Sequence, residues 1–373
     1  MRFNWFKLAY AFIFLTTTLL LVHYAVQIMH GGHPWKTGDW LINYSDGLIR
    51  RGLTGSISLL LANYLVIQLK WTVFALQAFF FTAFVALVLQ EFYKFKDQPK
   101  SILFLLSPAF AFMFWINDPS IAFRKEIIAY LSLIVILKSF SGSVVNWRLY
   151  SLGLLVYMFA GLSHESVIFM LPFFLFPIYS NFSSAEKDRQ SIWKPLLPLL
   201  FLTLLILIVA ILYKGSKPEM RNICQSVQTF SFRDEICEGA ISWLQYDMRY
   251  GYQSVVNLGT QVWVNYLFLA TFSFAPILLF KPDKSFALMC AAGCCFMFPL
   301  FVIAIDHGRF ISMIYTSSIL VAIWMRPEFF MKSLSVSGLI GFTYCFFWGL
   351  PNTGFSNPGA GLLGSAFRSM VGI

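Results

Sequence analysis

The stretch LTGSISLLLANYLVIQLK, Leu53 to Lys70, decides how this chain threads a membrane. It is apolar enough to pass for a span. Read as a crossing segment, it sends Lys94, Lys96 and Lys100 to the opposite side and dissolves the charge bias of the early loops. Read as helices lying in or dipping into the interface, it leaves those lysines on the side of the N-terminus, where short-loop charge rules want them. The second reading makes residues 30–70 a first external loop with interfacial helices.

Composition sets the frame for that choice. The chain has 373 residues, 58% of them hydrophobic and 12% charged, with a mean hydropathy of +0.70. A soluble domain carries about 25% charged residues. The expected fold is therefore all-α, a single polytopic integral membrane domain over 1–373. Apolar runs predict spans at 8–29, 71–92, 101–117, 126–140, 149–162, 167–180, 195–213, 262–281, 285–305, 310–325 and 334–350, about 11 transmembrane helices. Several are shorter than the roughly 20 residues a full crossing needs, so their ends extend into polar flanks or the bilayer thins around them. The first 30 residues show no small-residue cleavage site and read as a first span rather than a removed signal peptide. The 42 phenylalanines fit lipid-facing and packing surfaces.

Threaded in this way, the N-terminal face holds 14 Lys/Arg against 6 acids, a net of +8, out of 27 basic and 17 acidic residues in all. The other face keeps 13 basic and 11 acidic residues, a net of +2, and the +8 face is read as cytoplasmic. The total of +10 comes with no basic block, so nucleic acid is not an expected partner. Of six cysteines, Cys224 and Cys237 alone fall in an extramembrane loop, the external 214–261 stretch, and their spacing allows a disulfide in an oxidising compartment. Cys290, Cys294, Cys295 and Cys345 fall within spans as small buried residues.

Four compact polar motifs emerge on the face opposite the N-terminus: SDGLIRRG (Ser45–Gly52), DPSIAFRKE (Asp118–Glu126), SHES (Ser163–Ser166) and DHGRF (Asp306–Phe310). Ionisable groups near hydrocarbon are costly and persist where they work or pair. In the first, Asp46 supplies a carboxylate base or sugar clamp beside Arg50 and Arg51, which suit bidentate phosphate binding; the plainer reading is an Asp46–Arg50 ion pair fixing a loop. In the second, Arg124 and Lys125 read as phosphate ligands or as snorkelling anchors. SHES offers His164 and Glu165 as proton acceptor or donor, or as a hydrogen-bonded turn. DHGRF packs Asp306, His307 and Arg309 into a tight hairpin suited to sugar-hydroxyl or phosphate contacts. The 214–261 loop is long enough to form a cap, with Trp243, Tyr246, Tyr250 and Tyr252 among acids and arginines. Neither a nucleotide-binding loop nor GxSxG nor HExxH occurs, so an ATP-driven pump, a serine hydrolase and a zinc protease have no support. No cofactor motif or metal-ligand spacing stands out; a divalent metal stays open.

SDGLIRRGLTG in a first external loop, followed by FRKE, SHES and DHGRF at span ends, resembles the repeat-unit polymerases of O-antigen and capsule pathways (Wzy-like proteins) within the GT-C class of membrane glycosyltransferases. The resemblance covers length, span number and a large external loop late in the chain. It implies a GT-C-like fold in a bacterial inner membrane. The implied substrates are undecaprenyl-pyrophosphate-linked glycans joined on the outer leaflet, with membrane lipid and a chain-length regulator as further partners. A second branch of the class uses polyprenyl-monophosphate sugars with an Asp base in the first external loop, a place Asp46 would fill. Under either branch Asp46 is the leading base with Glu165 in reserve, and Arg50, Arg51, Arg124 and Arg309 neutralise the departing phosphate. Lys125 and Asp306 join the substrate contacts, and His164 and His307 orient phosphate or hydroxyl groups. A carrier for an anionic lipid or solute is the competing class, and it predicts ionisable groups deep in the spans. The stretch PLLFLTLLILIVAILY, Pro198 to Tyr213, has none.

Overall fold

A computed structural model of the chain describes residues 5–98, 101–142, 144–182, 192–228, 230, 232–331, 338–353, 359 and 361–363. These residues are helical, with no strand among them beyond one isolated bridge between Gly349 and Gly359. In chain order the helices are α1 (Trp5–Met29), α2 (Lys36–Leu41), α3 (Leu53–Leu65), α4 (Leu69–Phe92), α5 (Ser101–Leu105) and α6 (Ala111–Asn117). Next come α7 (Glu126–Phe140), α8 (Trp147–Ser163), a 3-10 turn (Glu165–Met170), α9 (Leu171–Phe182), α10 (Trp193–Leu212) and α11 (Lys217–Gln228). The last are α12 (Met248–Val256), α13 (Thr260–Leu279), α14 (Lys284–Ile303), α15 (His307–Met325), α16 (Glu328–Met331) and α17 (Gly338–Phe346).

Among the described residues seven stretches are long and apolar enough to cross a membrane: Trp5–Met29, Leu69–Phe95, Glu165–Phe182, Trp193–Leu212, Thr260–Leu279, Lys284–Ile303 and His307–Met325. That fits a polytopic membrane protein. Helix α10 illustrates why. Its 20 residues reach about 30 Å, the thickness of a hydrocarbon core. Its outer side shows Leu197, Phe201, Leu204 and Leu212, more than half exposed, as a lipid-facing surface would. Four of the expected spans are not among the seven: 126–140 and 149–162 form the shorter α7 and α8, of 15 and 17 residues, and two more take other forms. The run 101–117 is two short helices, α5 and α6. Pro108 between them has no backbone N–H and pushes Ser107 out of helical geometry, so one continuous helix cannot form there. The run 334–350 contributes the nine residues of α17, and 332–337 lie outside the described residues.

The Leu53–Lys70 stretch folds as the 13-residue α3, then joins α4 through a left-handed cap at Val66. At about 20 Å it is too short to cross. Its far end presents Leu60, Tyr64, Leu65 and Val66, each more than half exposed. At its other end a Cβ added to Gly55 would fall on the backbone carbonyl of Ile42. Alanine ordinarily favours a helix over glycine by about 1 kcal/mol. Here a clash against backbone outweighs that gain, since overpacking costs about 1–3 kcal/mol. Gly55→Ala should therefore lower the melting temperature of the purified chain.

The described residues cluster into two compact units: 1–20, 88–119 and 248–373 form one, 21–87 and 120–247 the other. In the second, small residues let helices approach closely. Ser132 of α7 donates to the carbonyl of Gly153 in α8 at 2.9 Å, and Tyr157 of α8 bonds Thr203 of α10 at 2.9 Å. Helix α2 is wholly buried and anchored by a polar knot. The Tyr24 hydroxyl meets Thr37 Oγ1 at 2.9 Å and donates to Gln77 Oε1. Gln77 Nε2 in turn donates to the carbonyls of Lys36 at 3.1 Å and Phe123 at 3.0 Å. Trp40 Nε1 adds a second donor to the Phe123 carbonyl at 2.9 Å. Every donor in this knot is spent, which fixes α2 where its acid can serve the site.

The same unit holds the first part of the late loop as a cap on the first loop. Cys224 and Cys237 are bonded, with Cα atoms 5.9 Å apart. Arg233 N donates to the Gly31 carbonyl at 3.3 Å, Ala240 N to that of Pro34 at 3.1 Å, and Asn43 Nδ2 to Ser226 Oγ at 3.2 Å. Residues 248–261 belong to the other unit, whose core is the almost wholly buried α15 and a cluster of phenylalanines including Phe104, Phe280 and Phe330.

Candidate functional site

The backbone turn at Gly47, where φ is +107°, folds SDGLIRRG back so that Arg50 N donates to the Tyr213 carbonyl at 2.9 Å, at the end of α10. Arg50 thus sits where an apolar helix runs out. Arg51 follows with φ of +68°, a left-handed conformation that costs a side-chain-bearing residue about 1 kcal/mol. Its guanidinium reaches Glu165, the first residue of the 3-10 turn. Arg51 Nε donates to Oε2 at 2.8 Å and to Oε1 at 3.0 Å, and Nη2 donates to Oε1 at 2.5 Å. Arg50 Nη1 shares Oε1 at a long 3.4 Å. Glu165 is therefore a carboxylate gripped by two guanidiniums, one firmly and one loosely.

The two arginines are not equivalent. Arg51 is committed to a bidentate pair of the strong kind. The Arg50 side chain makes one hydrogen bond among the described residues, and its Nε is buried with no hydrogen-bond partner there. Burial lowers the Arg50 guanidinium from its ordinary range, opposed by Glu165, though an arginine keeps its charge. With about a quarter of its side chain exposed, Arg50 is the group best placed to accept an outside anion.

Beneath them lies Lys125, with no exposed side-chain surface. Its Nζ donates to the Arg51 carbonyl at 3.0 Å and pairs with Asp39 Oδ1 of α2 at 3.5 Å. Burial pulls its ammonium down to about 8, against the opposing pull of Asp39. Lys125 was expected to touch substrate directly; buried this deep, it holds backbone instead.

His164 caps the 3-10 turn. Its Nδ1 accepts from Ser166 N at 3.2 Å, which puts the ring proton on Nε2, facing Glu126 Oε1 at 3.9 Å. Burial, reinforced by Arg51, lowers this imidazole to about 3. It is neutral at physiological pH, so the ring holds the single proton on Nε2 and not the second proton of an imidazolium. Between pH 3 and 6.5 the folded chain binds fewer protons here than the unfolded chain. Stability should fall as pH drops from 6.5 toward 3, by up to about 1.4 kcal/mol per pH unit from this group. His164→Asn keeps an acceptor for Ser166 N, and thermal melts between pH 7 and 4.5 should show a shallower acid loss in that variant.

Asp46 is exposed and accepts from Asn222 Nδ2 of the cap at 2.7 Å. The plainer reading of SDGLIRRG, an Asp46–Arg50 ion pair, is not seen among the described residues; Arg50 pairs with Glu165 instead. The two side chains have different partners: Asp46 accepts from Asn222 of the cap, and Arg50 reaches Glu165. Arg124 packs its guanidinium over the Trp35 ring at 5.9 Å.

The DHGRF residues belong to the other unit. Asp306 and Arg309 form a local pair at 3.0 Å. His307 is fully buried among Trp263, Tyr266 and Phe301, with centroids 4.8, 5.0 and 5.4 Å away, and its Nε2 meets the Phe301 carbonyl at 3.0 Å. That enclosure packs His307 at the start of α15 among aromatic rings. Gly308 is obligatory there, since a Cβ would fall on the Pro351 carbonyl.

Sequence reasoning thus named Arg50, Arg51, Lys125, His164 and Glu165, which meet in one cluster, but missed Asp39 and Asn222. A lone acid in KTGDWL, flanked by apolar sequence, was the available signal for Asp39. Among the described residues no group of three or more His, Cys, Asp and Glu is placed to hold a metal. No protein-family profile, curated protein or solved structure matches the chain.

Proposed function

We propose that this chain is a membrane glycosyltransferase acting on polyprenyl-(pyro)phosphate-linked sugars, as a repeat-unit polymerase of the Wzy-like, GT-C-class kind in a bacterial inner membrane, with about 11 crossings. The observation that carries the reading is the guanidinium pair on Glu165, with the loosely held Arg50 at the end of an apolar helix. A phosphate arriving on a lipid needs a cationic, partly desolvated group at headgroup depth. The Cys224–Cys237 bond supports an oxidising compartment for the cap, and so a site on the outer side.

In this reading an acceptor hydroxyl attacks the anomeric carbon of the lipid-linked sugar. The new glycosidic C–O bond forms as the bond to phosphate oxygen breaks. Asp46, on the exposed loop, takes the hydroxyl proton, and the lipid (pyro)phosphate leaves with its charge held by Arg50 and steadied by Arg51. Glu165, with both oxygens occupied by arginines, orients rather than abstracts.

One observation favours the monophosphate branch as a second reading. Lys125 is spent on Asp39 and backbone, which leaves a single guanidinium pair, half neutralised by Glu165, for the leaving group. Gene deletion followed by gel analysis of surface polysaccharide tests the function. Loss of a polymerase leaves one repeat unit on its anchor. Loss of a single-sugar transferase leaves a truncated unit, and an unchanged ladder overturns both readings.

A further inference from the structure

Three non-glycine residues in the unit that carries the site have left-handed backbone; Val66 caps α3, and the other two have their carbonyls held by buried donors. Phe123 has φ of +65° and Arg51 has φ of +68°. The Phe123 carbonyl is gripped by Trp40 and Gln77, the Arg51 carbonyl by Lys125. Helix α2 links the two, since Trp40 serves the first and Asp39 anchors the lysine that serves the second. Strain of this kind survives only where surroundings over-determine it, and it gathers at working sites.

We propose that Lys125 is a positioning residue: its ammonium clamps the Arg51 carbonyl, fixes the left-handed turn that presents the Arg50–Arg51 pair, and makes lipid-phosphate binding depend on the lysine proton. This rests on the phosphate-binding reading above. A neutral amine is a far weaker donor to the carbonyl and no partner for Asp39, so deprotonation releases the turn. The charged and titratable groups facing Lys125 are Asp39 from α2, Arg51 from the first loop, and Glu165 and His164 from the 3-10 turn. Of these, His164 stays neutral above pH 3, and an arginine does not titrate. The lysine proton, held to about 8, is thus the one whose loss releases the clamp in mildly alkaline solution.

The sign separates this clamp from a merely structural lysine. The folded-state value lies below the unfolded 10.5, so above pH 8 the unfolded chain binds more protons and this group makes folding more favourable as pH rises. Affinity and stability should therefore diverge.

The test uses the full chain in nanodiscs with undecaprenyl phosphate as probe. From pH 7 to 9.5 the apparent Kd should rise about 10- to 30-fold as the clamped fraction shrinks, while the melting temperature does not fall. Lys125→Met alone would leave Asp39 a buried acid without its lysine, so Lys125→Met with Asp39→Asn is the informative variant. It should bind at pH 7 as weakly as wild type at pH 9.5 and show no further pH dependence. Hydrogen exchange over residues 49–55 gives a readout free of ligand. Protection should fall in the double variant at pH 7. Equal protection in variant and wild type overturns the clamp whether or not the probe binds. A flat wild-type Kd across pH 8 overturns the proton dependence. Reduced protection in a chain that never binds the probe upholds the clamp and overturns the phosphate reading.

Discussion

Arg50→Ala should cut glycan transfer by about 100- to 1,000-fold, the loss typical of removing one donor that stabilises developing charge. The fold should survive it. The Arg50 side chain is held by one hydrogen bond of 3.4 Å, and the backbone bond from Arg50 N to the Tyr213 carbonyl does not depend on the side chain. Removing this arginine also leaves Glu165 its three hydrogen bonds from Arg51. Arg50→Lys should recover only part of the activity, because an ammonium is a point charge without the planar fork. The check is the length distribution of surface glycan in a strain carrying each variant as its sole copy, beside the melting temperature of the purified chain. A full-length ladder from Arg50→Ala would remove this residue from the chemistry.

Glu165→Gln should have the opposite profile, losing stability first. Arg50, Arg51 and Glu165 expose 23%, 24% and 17% of their side chains, so the pair is largely desolvated. Neutralising the acid leaves two adjacent guanidiniums with no counter-charge between them. Breaking one side of a buried pair costs about 3–5 kcal/mol, and the residual exposure here argues for the lower end, about 3 kcal/mol. Adding Arg50→Ala to Glu165→Gln should restore part of the lost stability by removing one of the two repelling charges. A thermal-melt cycle over wild type, Arg50→Ala, Glu165→Gln and the double variant reads the coupling directly.

How much of this was legible in the sequence follows from separation along the chain. Charged residues set against apolar runs mark themselves, because their cost in or near hydrocarbon is large. Arg50, Arg51, Lys125, His164 and Glu165 were legible for that reason. Their pairing was not. Arg51 and Glu165 lie 114 residues apart, and the sequence offered Asp46 as the nearer partner for Arg50. In the fold Arg50 N bonds the Tyr213 carbonyl and its side chain meets Glu165, while Asp46 meets Asn222. Burial depth was likewise hidden. Lys125 and His307 read as surface ligands from their motifs, yet one is enclosed under Arg51 and the other among aromatic rings. Among the elements, α3 was readable as a non-crossing helix from the lysines that follow it. The break at Pro108 was passed over, since hydropathy alone runs through it.

The cap adds a further dependence. Asn222, two residues before the disulfide-bonded Cys224, holds the Asp46 carboxylate at 2.7 Å, so the proposed base is oriented by a segment that is itself stapled. A base works only within hydrogen-bond reach of the hydroxyl it serves. The cap, the first loop and the 3-10 turn thus act together, although their sequences lie far apart.

The most direct measurement is a structure of the full chain in lipid with undecaprenyl phosphate bound. The account predicts phosphate oxygens within about 3 Å of the Arg50 guanidinium, with Arg50 drawn off Glu165 and Arg51 still bidentate on it. Phosphate bound away from this cluster, with Arg50 unmoved on Glu165, would contradict it.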